Sequence, residues 1–268
     1  MRIQVLVATV DQTDRRLPEC MNLGADALIG NQCGRDGREE SEYCGQAVTW
    51  ILTSDRGVGK NRNRLLSEAT ADICLLADDD VTYAEGVFDR VAKAFADNPK
   101  ADVMIFGMDM TKDGQLFRTV RPKMGRLHTQ NCLRYGTYCV AVRRERILEK
   151  NIRFSEWFGG GCTYGAGEDS LFLLDCLRSG LRIYGSSVVL GKCAKDASSW
   201  FTGYNEKYYY DKGAWIAAAF PRAKHLVKWY FIRQGRRLFP EGKAYMRREI
   251  NRGIKGFPAR APYADHSL

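Results

Sequence analysis

Ile73-Cys74-Leu75-Leu76-Ala77-Asp78-Asp79-Asp80 is an apolar run closed by three consecutive aspartates. A short unbroken apolar run bounded by polar residues fits a strand buried on both faces. Such a strand would end by delivering several carboxylates to one spot. Adjacent negative charges oppose one another's ionisation unless something positive relieves them, and an oxygen-only donor set suits a hard cation, Mg²⁺ or Mn²⁺, that carries phosphates. An acidic turn after a strand is the competing explanation for an isolated triplet, so the surrounding pattern decides between them.

Upstream, Ile3 to Thr9, Ala27 to Gly30 and Val48 to Thr53 read as short apolar strands closed by polar or turn residues, and Gly59 to Glu68 as a helix leading into the aspartate strand. Downstream, a helix from Glu85 to Ala96 brings Val87, Phe88, Val91, Ala94 and Phe95 onto one stripe. Asn98-Pro99 stops it before a strand from Val103 to Met108. Repeated strand-helix-strand units imply an α/β fold with a mostly parallel sheet covered by helices on both faces. Ligands of such sheets bind beyond the carboxyl ends of the strands, where Thr9, Asn31 and the aspartates fall.

The chain of 268 residues, 45% hydrophobic and 27% charged, is long enough for one large domain or a domain with an appendage. Nine cysteines are an odd number, and no two have the spacing of a zinc knuckle or redox pair. With no recognisable signal peptide, they are expected to be reduced thiols of a cytoplasmic protein. The longest candidate for a membrane span, Ala214 to Phe220, stops at Pro221, so an integral membrane protein is not expected.

Charge is unevenly placed. Of the net +9, the stretch Arg222 to Arg260 carries twelve Lys/Arg against Glu241 and Glu249, so the rest of the chain is close to neutral. Leu226, Val227, Trp229, Tyr230, Phe231, Ile232, Leu238 and Phe239 are interleaved with that charge. The pattern suits an amphipathic helical segment on an anionic membrane surface, or one that packs its apolar side on the main domain. A nucleic-acid patch is a third reading that no motif supports, and nucleic acid is not an expected partner. The division is an α/β domain over 1–213 and a basic helical tail over 214–268.

A second acid cluster, Glu168-Asp169, follows Phe158-Gly159-Gly160-Gly161 and Gly165-Ala166-Gly167 and precedes Leu171, Phe172, Leu174, Cys176 and Leu177. Glycines let backbone come close to a ligand, and the acids fall in the first turn of a helix anchored by its apolar stripe. First-turn acids are also ordinary partners of the helix dipole.

Taken together, Val5-Leu6-Val7-Ala8-Thr9, Arg56-Gly57-Val58-Gly59-Lys60-Asn61-Arg62-Asn63, the strand into Asp78-Asp79-Asp80 and Gly165-Ala166-Gly167-Glu168-Asp169 resemble family 2 glycosyltransferases, over roughly residues 3 to 213. The resemblance implies the GT-A fold, inversion at the anomeric centre, a nucleoside-diphosphate sugar donor with uridine the favoured base, and a glycan or lipid-linked acceptor in cell-surface polysaccharide synthesis. It places Thr9 at the mouth of the nucleotide pocket. Asn31 and Gln32 stand where the family usually has an acid that reads the uracil ring, which shifts base recognition to amides. Arg62 and Asn63 match a pair that meets the nucleotide or its diphosphate.

Within the triplet, the resemblance assigns Asp78 to the ribose, Asp80 to Mn²⁺ or Mg²⁺ and Asp79 to either, with Asp78 also a possible ligand. Asp169 becomes the general base and Glu168 a residue that orients the acceptor or its loop. Trp157, Gly160 and Gly161 are the expected acceptor contacts. Many relatives add a third metal ligand, often His, after the next strand; Gly191 to Trp200 has none, leaving Asp196 as a substitute or Lys195 as a direct phosphate contact. Aromatic residues at Trp200 to Tyr204 and Tyr208 to Tyr210 could stack on sugars or serve the core. Two alternatives stay open: a nucleotidyltransferase, which would be expected to show a glycine-rich loop where Val10-Asp11-Gln12-Thr13-Asp14 has none, and a membrane- or polyanion-binding module built on the tail.

Overall fold

The computed structural model describes residues 1–194, 203–234 and 242–263. In chain order the elements are β1 (Ile3–Val10), α1 (Leu17–Cys20), β2 (Asp26–Gln32), β3 (Gly37–Tyr43), β4 (Gln46–Thr53), α2 (Val58–Glu68), β5 (Ile73–Asp78), β6 (Val81–Tyr83), α3 (Val87–Asp97), β7 (Val103–Lys112), β8 (Gln115–Val120) and β9 (Gly125–Leu127). They continue with α4 (Thr129–Cys132), β10 (Val140–Arg143), α5 (Arg144–Glu149), α6 (Glu168–Arg178), β11 (Ile183–Ala194), α7 (Glu206–Ala219), α8 (Lys224–Gln234) and α9 (Lys243–Gly256).

All but two of these strands follow one path in a single sheet, in the order β3-β4-β2-β1-β5-β10-β7-β11-β6, with β8 added against β7 and β9 against β11. Its first half is parallel: β1 lies between β2 and β5, and β2 also pairs β4. The expected mostly parallel pairing holds there and returns between β7 and β11. β10 enters antiparallel between β5 and β7, and β6 runs antiparallel to β11, so the sheet is mixed. Only the four-residue α4 and the short turn at Thr137–Cys139 lead into β10, too little for a parallel crossover, so it runs against its neighbours.

The core forms where apolar periodicity is strongest. Val5, Val7, Ile29, Leu75, Ile105 and Phe106 of the sheet are sealed under Leu65 and Leu66 of α2 and under the stripe of α3, whose Val87, Phe88, Val91, Ala94 and Phe95 are all buried. β3 and β8, in contrast, are mostly exposed antiparallel additions at β4 and β7. Neither presents an apolar face that would mark it as a strand.

α7 starts where the Asn205 side chain accepts a 2.9 Å bond from the Tyr208 amide, and it runs without a break through residues 213 and 214. α9 crosses it at a glycine pair. A Cβ on Gly213 would stand 2.2 Å from the Ile250 carbonyl oxygen, and one on Gly253 would stand 1.9 Å from that of Tyr210. Only glycine allows such backbone approach. The crossing buries Met246, Ile250 and Ile254 of α9 against Tyr209 and Ile216 of α7, with Ile232 of α8 in the same cluster. α8 leaves Leu226, Trp229 and Tyr230 more than half exposed. Among the described residues, no helix is long and apolar enough to cross a membrane.

Candidate active site

Parallel pairing sets Ala8 beside Asp78, Thr9 beside Asn31 and Gln32 beside Thr53, so the polar ends of β1, β2, β4 and β5 form one rim. The second acid cluster reaches this rim from α6. Gly167 (φ 121°) turns the chain into that helix, and Leu171, Phe172, Leu173, Leu174 and Cys176 bury its other face, fixing Glu168 and Asp169 in the first turn.

Arg62, one turn into α2, joins the two clusters. Its Nη2 donates to Asp78 Oδ1 at 2.6 Å, while Nη1 donates to Asp169 Oδ1 at 3.0 Å and Glu168 Oε1 at 3.2 Å. The guanidinium is only 3% exposed and lies 5.4 Å from the Phe154 ring, itself stacked on Phe172. Burial opposes its charge, but Asp78, Asp169 and Glu168 outweigh that and hold it firmly protonated. The residue matched as a nucleotide contact is instead spent on three carboxylates. α2 can bring it in because Gly59 allows the helix onto the 155–156 backbone: a Cβ there would lie 2.1 Å from the Ser155 carbonyl oxygen.

Asp169 also accepts a 3.1 Å bond from the Thr137 hydroxyl. Desolvation, and then the charge of Glu168, push its carboxyl up to about 7, with Asp78 adding to the rise while Arg62 and Thr137 pull against it. A carboxylate poised near neutrality, still 29% exposed at its side chain, has the properties of a general base. Glu168 is held beneath the glycine-rich loop: its Oε2 accepts from the Gly167 amide at 3.1 Å, and a Cβ on Gly159 would meet that carboxylate at 2.7 Å.

The amides expected to read the base are occupied within the protein. Asn31 accepts from the Gln12 amide at 3.0 Å and donates to the Gln12 carbonyl at 2.7 Å, and Gln32 Oε1 accepts from the Gly57 amide at 2.7 Å. Asn63, expected at the nucleotide, is a buried clamp. Its amide donates to the Phe154 carbonyl at 2.9 Å and accepts from the Phe154 amide at 2.7 Å. Burying these amides without such partners would be costly, so their work here is to shape the loops around the rim. Thr9 donates its hydroxyl to Asp79 Oδ2. Desolvation pushes the Asp79 carboxyl up, Thr9 pulls it down, and the charges of Asp80 and Asp78 add to the rise.

Asp80 is tied to the end of β11, its carbonyl accepting from the Ala194 amide at 2.9 Å and its Oδ1 from the Cys193 thiol at 3.4 Å. Asp196 and Lys195 lie outside the described residues. Among the described residues, no three His, Cys, Asp or Glu side chains form a metal cage. Magnesium-type ions bound with substrate phosphates need only one or two carboxylates, and the crowded hard-oxygen triplet fits that smaller requirement. Within the triplet, Asp78 Oδ1 is already taken by the Arg62 guanidinium.

Trp157 is half-exposed and stacks under the Arg260 guanidinium at 5.3 Å. The Gly160 carbonyl accepts from the Val58 amide at 2.9 Å, and Gly161 (φ 76°) turns the loop. Thr137 was not among the expected site residues. Nothing in Gly136-Thr137-Tyr138-Cys139 marks it, because its role exists only once that turn folds against α6.

A model of glycosyl transferase family 2 matches residues 41–152. No curated protein matches the chain in sequence. Among solved structures, Staphylococcus aureus TarS residues 1–349 with UDP-GlcNAc superposes with a TM-score of 0.66 at 16% identity, covering 98% of this chain and 82% of TarS 1–349. A second structure of TarS 1–349 gives 0.62 at 14% identity, covering 98% and 93%. The mannosyltransferase PcManGT from Pyrobaculum calidifontis, in complex with GDP-Man and Mn²⁺, gives 0.53 at 14% identity, covering 96% of this chain and 87% of its own. At these identities the likeness is one of fold, a mixed α/β sheet flanked by helices that matches GT-A structures. Residues 41–152, which match glycosyl transferase family 2, lie inside that fold.

Proposed function

We propose that the protein is an inverting transferase that moves a sugar from a nucleoside-diphosphate donor, a uridine nucleotide by preference, to a hydroxyl of a glycan or lipid-linked acceptor in cell-surface polysaccharide synthesis. The observation that carries this reading is the Arg62 fork. It brings two acid clusters about ninety residues apart in sequence to one point, Asp78 on the donor side and Asp169 on the acceptor side. Asp169 takes the proton of the acceptor hydroxyl as that oxygen attacks the anomeric carbon from the face opposite the diphosphate, and one displacement with one base inverts the centre. Glu168 positions the glycine-rich loop, and Arg62 fixes the spacing of base and donor.

Mn²⁺ or Mg²⁺ is the proposed cofactor, held by Asp80 with help from Asp79, and when bound it supplies charge to stabilise the departing diphosphate. The solved neighbours support this reading, one carrying UDP-GlcNAc and another GDP-Man with Mn²⁺. The basic, partly apolar surface of α8 is proposed to rest on anionic lipid at the cytoplasmic face, beside a lipid-linked acceptor.

The deciding experiment separates binding from chemistry. Asp169→Asn should keep nucleoside-diphosphate affinity by calorimetry and lose at least about a hundredfold in transfer, the lower range for a positioned base. Near-normal turnover by the variant would move the base to another residue, with Glu168 the next candidate.

A further inference from the structure

A cavity of about 220 Å³ opens between the loop at Gly161–Ala166 and the first two turns of α7. At ~30 Å³ per water it has room for about seven waters, the scale of one sugar-sized unit and too small for an extended chain. Lys212 and Asp211 are among the charged groups that line it. Lys212 has no carboxylate partner among the described residues; its ammonium faces only the rings of Trp215 (4.9 Å), Phe231 (5.6 Å) and Tyr208 (5.8 Å). Burial lowers its affinity for a proton, as expected of a cation with no anion beside it.

Asp211 is the second group, and it is 8% exposed. Its Oδ2 is engaged by Lys207 and by the Gly165 amide at 2.9 Å, while its Oδ1 is buried with no donor. A buried carboxylate oxygen lacking a donor is costly in a folded protein unless something completes it, and the half-buried Lys212 ammonium beside it is placed to hold an anion. Trp215 ties the cavity to the reaction centre. Its Nε1 donates to Ser170 Oγ at 2.8 Å, one residue from Asp169, and its ring packs against Gly167, where a Cβ would lie 2.5 Å away.

We infer that this cavity is an acceptor subsite for a negatively charged, hydroxyl-bearing unit, with the anionic group on Lys212, a hydroxyl on Asp211 Oδ1 and the Trp215 ring as the apolar wall. The inference rests on the glycosyltransferase reading for the word acceptor, and on the cavity alone for the ligand's chemistry. Phosphate and carboxylate would both satisfy Lys212. The acceptor would therefore be a phosphate-bearing or uronate-bearing glycan or polyol rather than a neutral one.

The test is direct binding to the full chain, by saturation-transfer NMR, of glucose 6-phosphate, glucuronate and glucose, with UDP binding measured in parallel. At least one charged probe should bind about tenfold or more tighter than glucose, the scale of one hydrogen bond to a charged group. Preference for glucose 6-phosphate assigns a phosphate, preference for glucuronate assigns a carboxylate, and equal binding of both supports the shared chemistry. Lys212→Met should reduce charged probes to the level of glucose, raise the melting temperature by removing a desolvated cation, and leave UDP affinity unchanged. Lys212→Arg should keep the preference for charge, which guards against a folding failure in the Met variant.

Equal binding of glucose and both charged probes, or none by any, overturns the subsite, as does an unchanged preference in Lys212→Met. Loss of UDP affinity in that variant would place Lys212 at the donor and overturn it as well. A wild-type chain that binds the charged probes but no nucleotide or nucleotide sugar would instead sink the transferase reading and leave the anion site standing.

Discussion

Two buried ion clusters in this molecule have opposite stoichiometry. At the rim of the sheet, one cation, Arg62, serves three acids, Asp78, Glu168 and Asp169. In the C-terminal helices one acid, the fully buried Glu249, is held by two cations, with Arg248 Nε and Arg252 Nη1 each at 2.6 Å. The helical cluster closes the charge of its buried member, and Arg248 reaches a second acid, Glu206, at 3.4 Å. The rim cluster concentrates negative charge where water is partly excluded, and the result is a carboxyl on Asp169 raised to about 7. Surplus acid at the rim is useful to a site that must take a proton; closure in the helices serves packing.

Breaking both clusters sharpens the contrast. Arg62→Met strips from three crowded acids the cation they share and should cost about 3–5 kcal/mol by urea unfolding, the usual scale for leaving a buried charge unpaired. Transfer activity should vanish with it. Glu249→Gln should also lower the unfolding midpoint, but the folded fraction should bind and turn over donor normally. If Glu249→Gln abolished chemistry while Arg62→Met spared it, the assignment of the two clusters would be reversed.

The α7–α9 crossing supplies the next largest effect. Ile250 is fully buried there, and Ile250→Ala should cost about 2–5 kcal/mol through lost contact and the cavity left behind. Donor affinity measured well below the unfolding transition should not move. A loss of donor affinity would mean that the helices shape the rim as well as pack on it.

These two regions were also unequally legible in the sequence. The parallel half of the sheet and the stripe of α3 could be read because their signal is local: apolar runs of strand length, and Val87, Val91 and Ala94 at helical spacing. The acid clusters were legible as clusters. Their coupling through Arg62 was not, because a guanidinium at the start of a helix looks the same whether it faces a phosphate or a carboxylate brought in from residue 169. Asn63 misled for the same reason, since its Phe154 backbone partner is 91 positions away. β3 was missed because Gly37-Arg38-Glu39-Glu40-Ser41-Glu42-Tyr43 has no apolar face. In α9, Met246, Ile250 and Ile254 form a readable i, i+4, i+8 stripe, set among the basic residues that dominate the composition of the tail.

A smaller effect at the rim is its pH dependence. If Asp169 must be ionised to accept a proton, kcat/KM should climb about tenfold per pH unit below its folded value and level off above about 7. Stability should move the other way. The carboxyl's affinity for a proton is higher in the folded chain than its ordinary 3.8, so between 3.8 and about 7 the folded state binds more protons than the unfolded one. This group's contribution therefore falls as pH rises through that window. Asp169→Asn should flatten both dependences. An activity profile without a limb near neutrality would remove the raised carboxyl from the chemistry.

The smallest expected effect on stability belongs to the exposed side of α8, and it sharpens the contrast within the helical region itself. Leu226, Trp229 and Tyr230 are 67%, 54% and 58% exposed, so replacing all three by Ser removes little buried surface. Each change should stay within about 0.5 kcal/mol, as for substitutions away from packed features. Their effect should fall on membrane binding. Arg233 lies 5.4 Å from the Trp229 ring, and Lys224 and Lys228 share the helix, so cations and interfacial aromatics occur together. Basic side chains near anionic lipid contribute roughly 1 kcal/mol each and weaken with salt, while Trp and Tyr partition into the interface. The intact chain should float with anionic vesicles at low salt and be released at high salt, and the triple Ser variant should stay in the dense fractions at either. If the variant floats as well as the parent, the apolar face of α8 has no part in lipid binding. If neither floats, α8 belongs with α9 as a packing element.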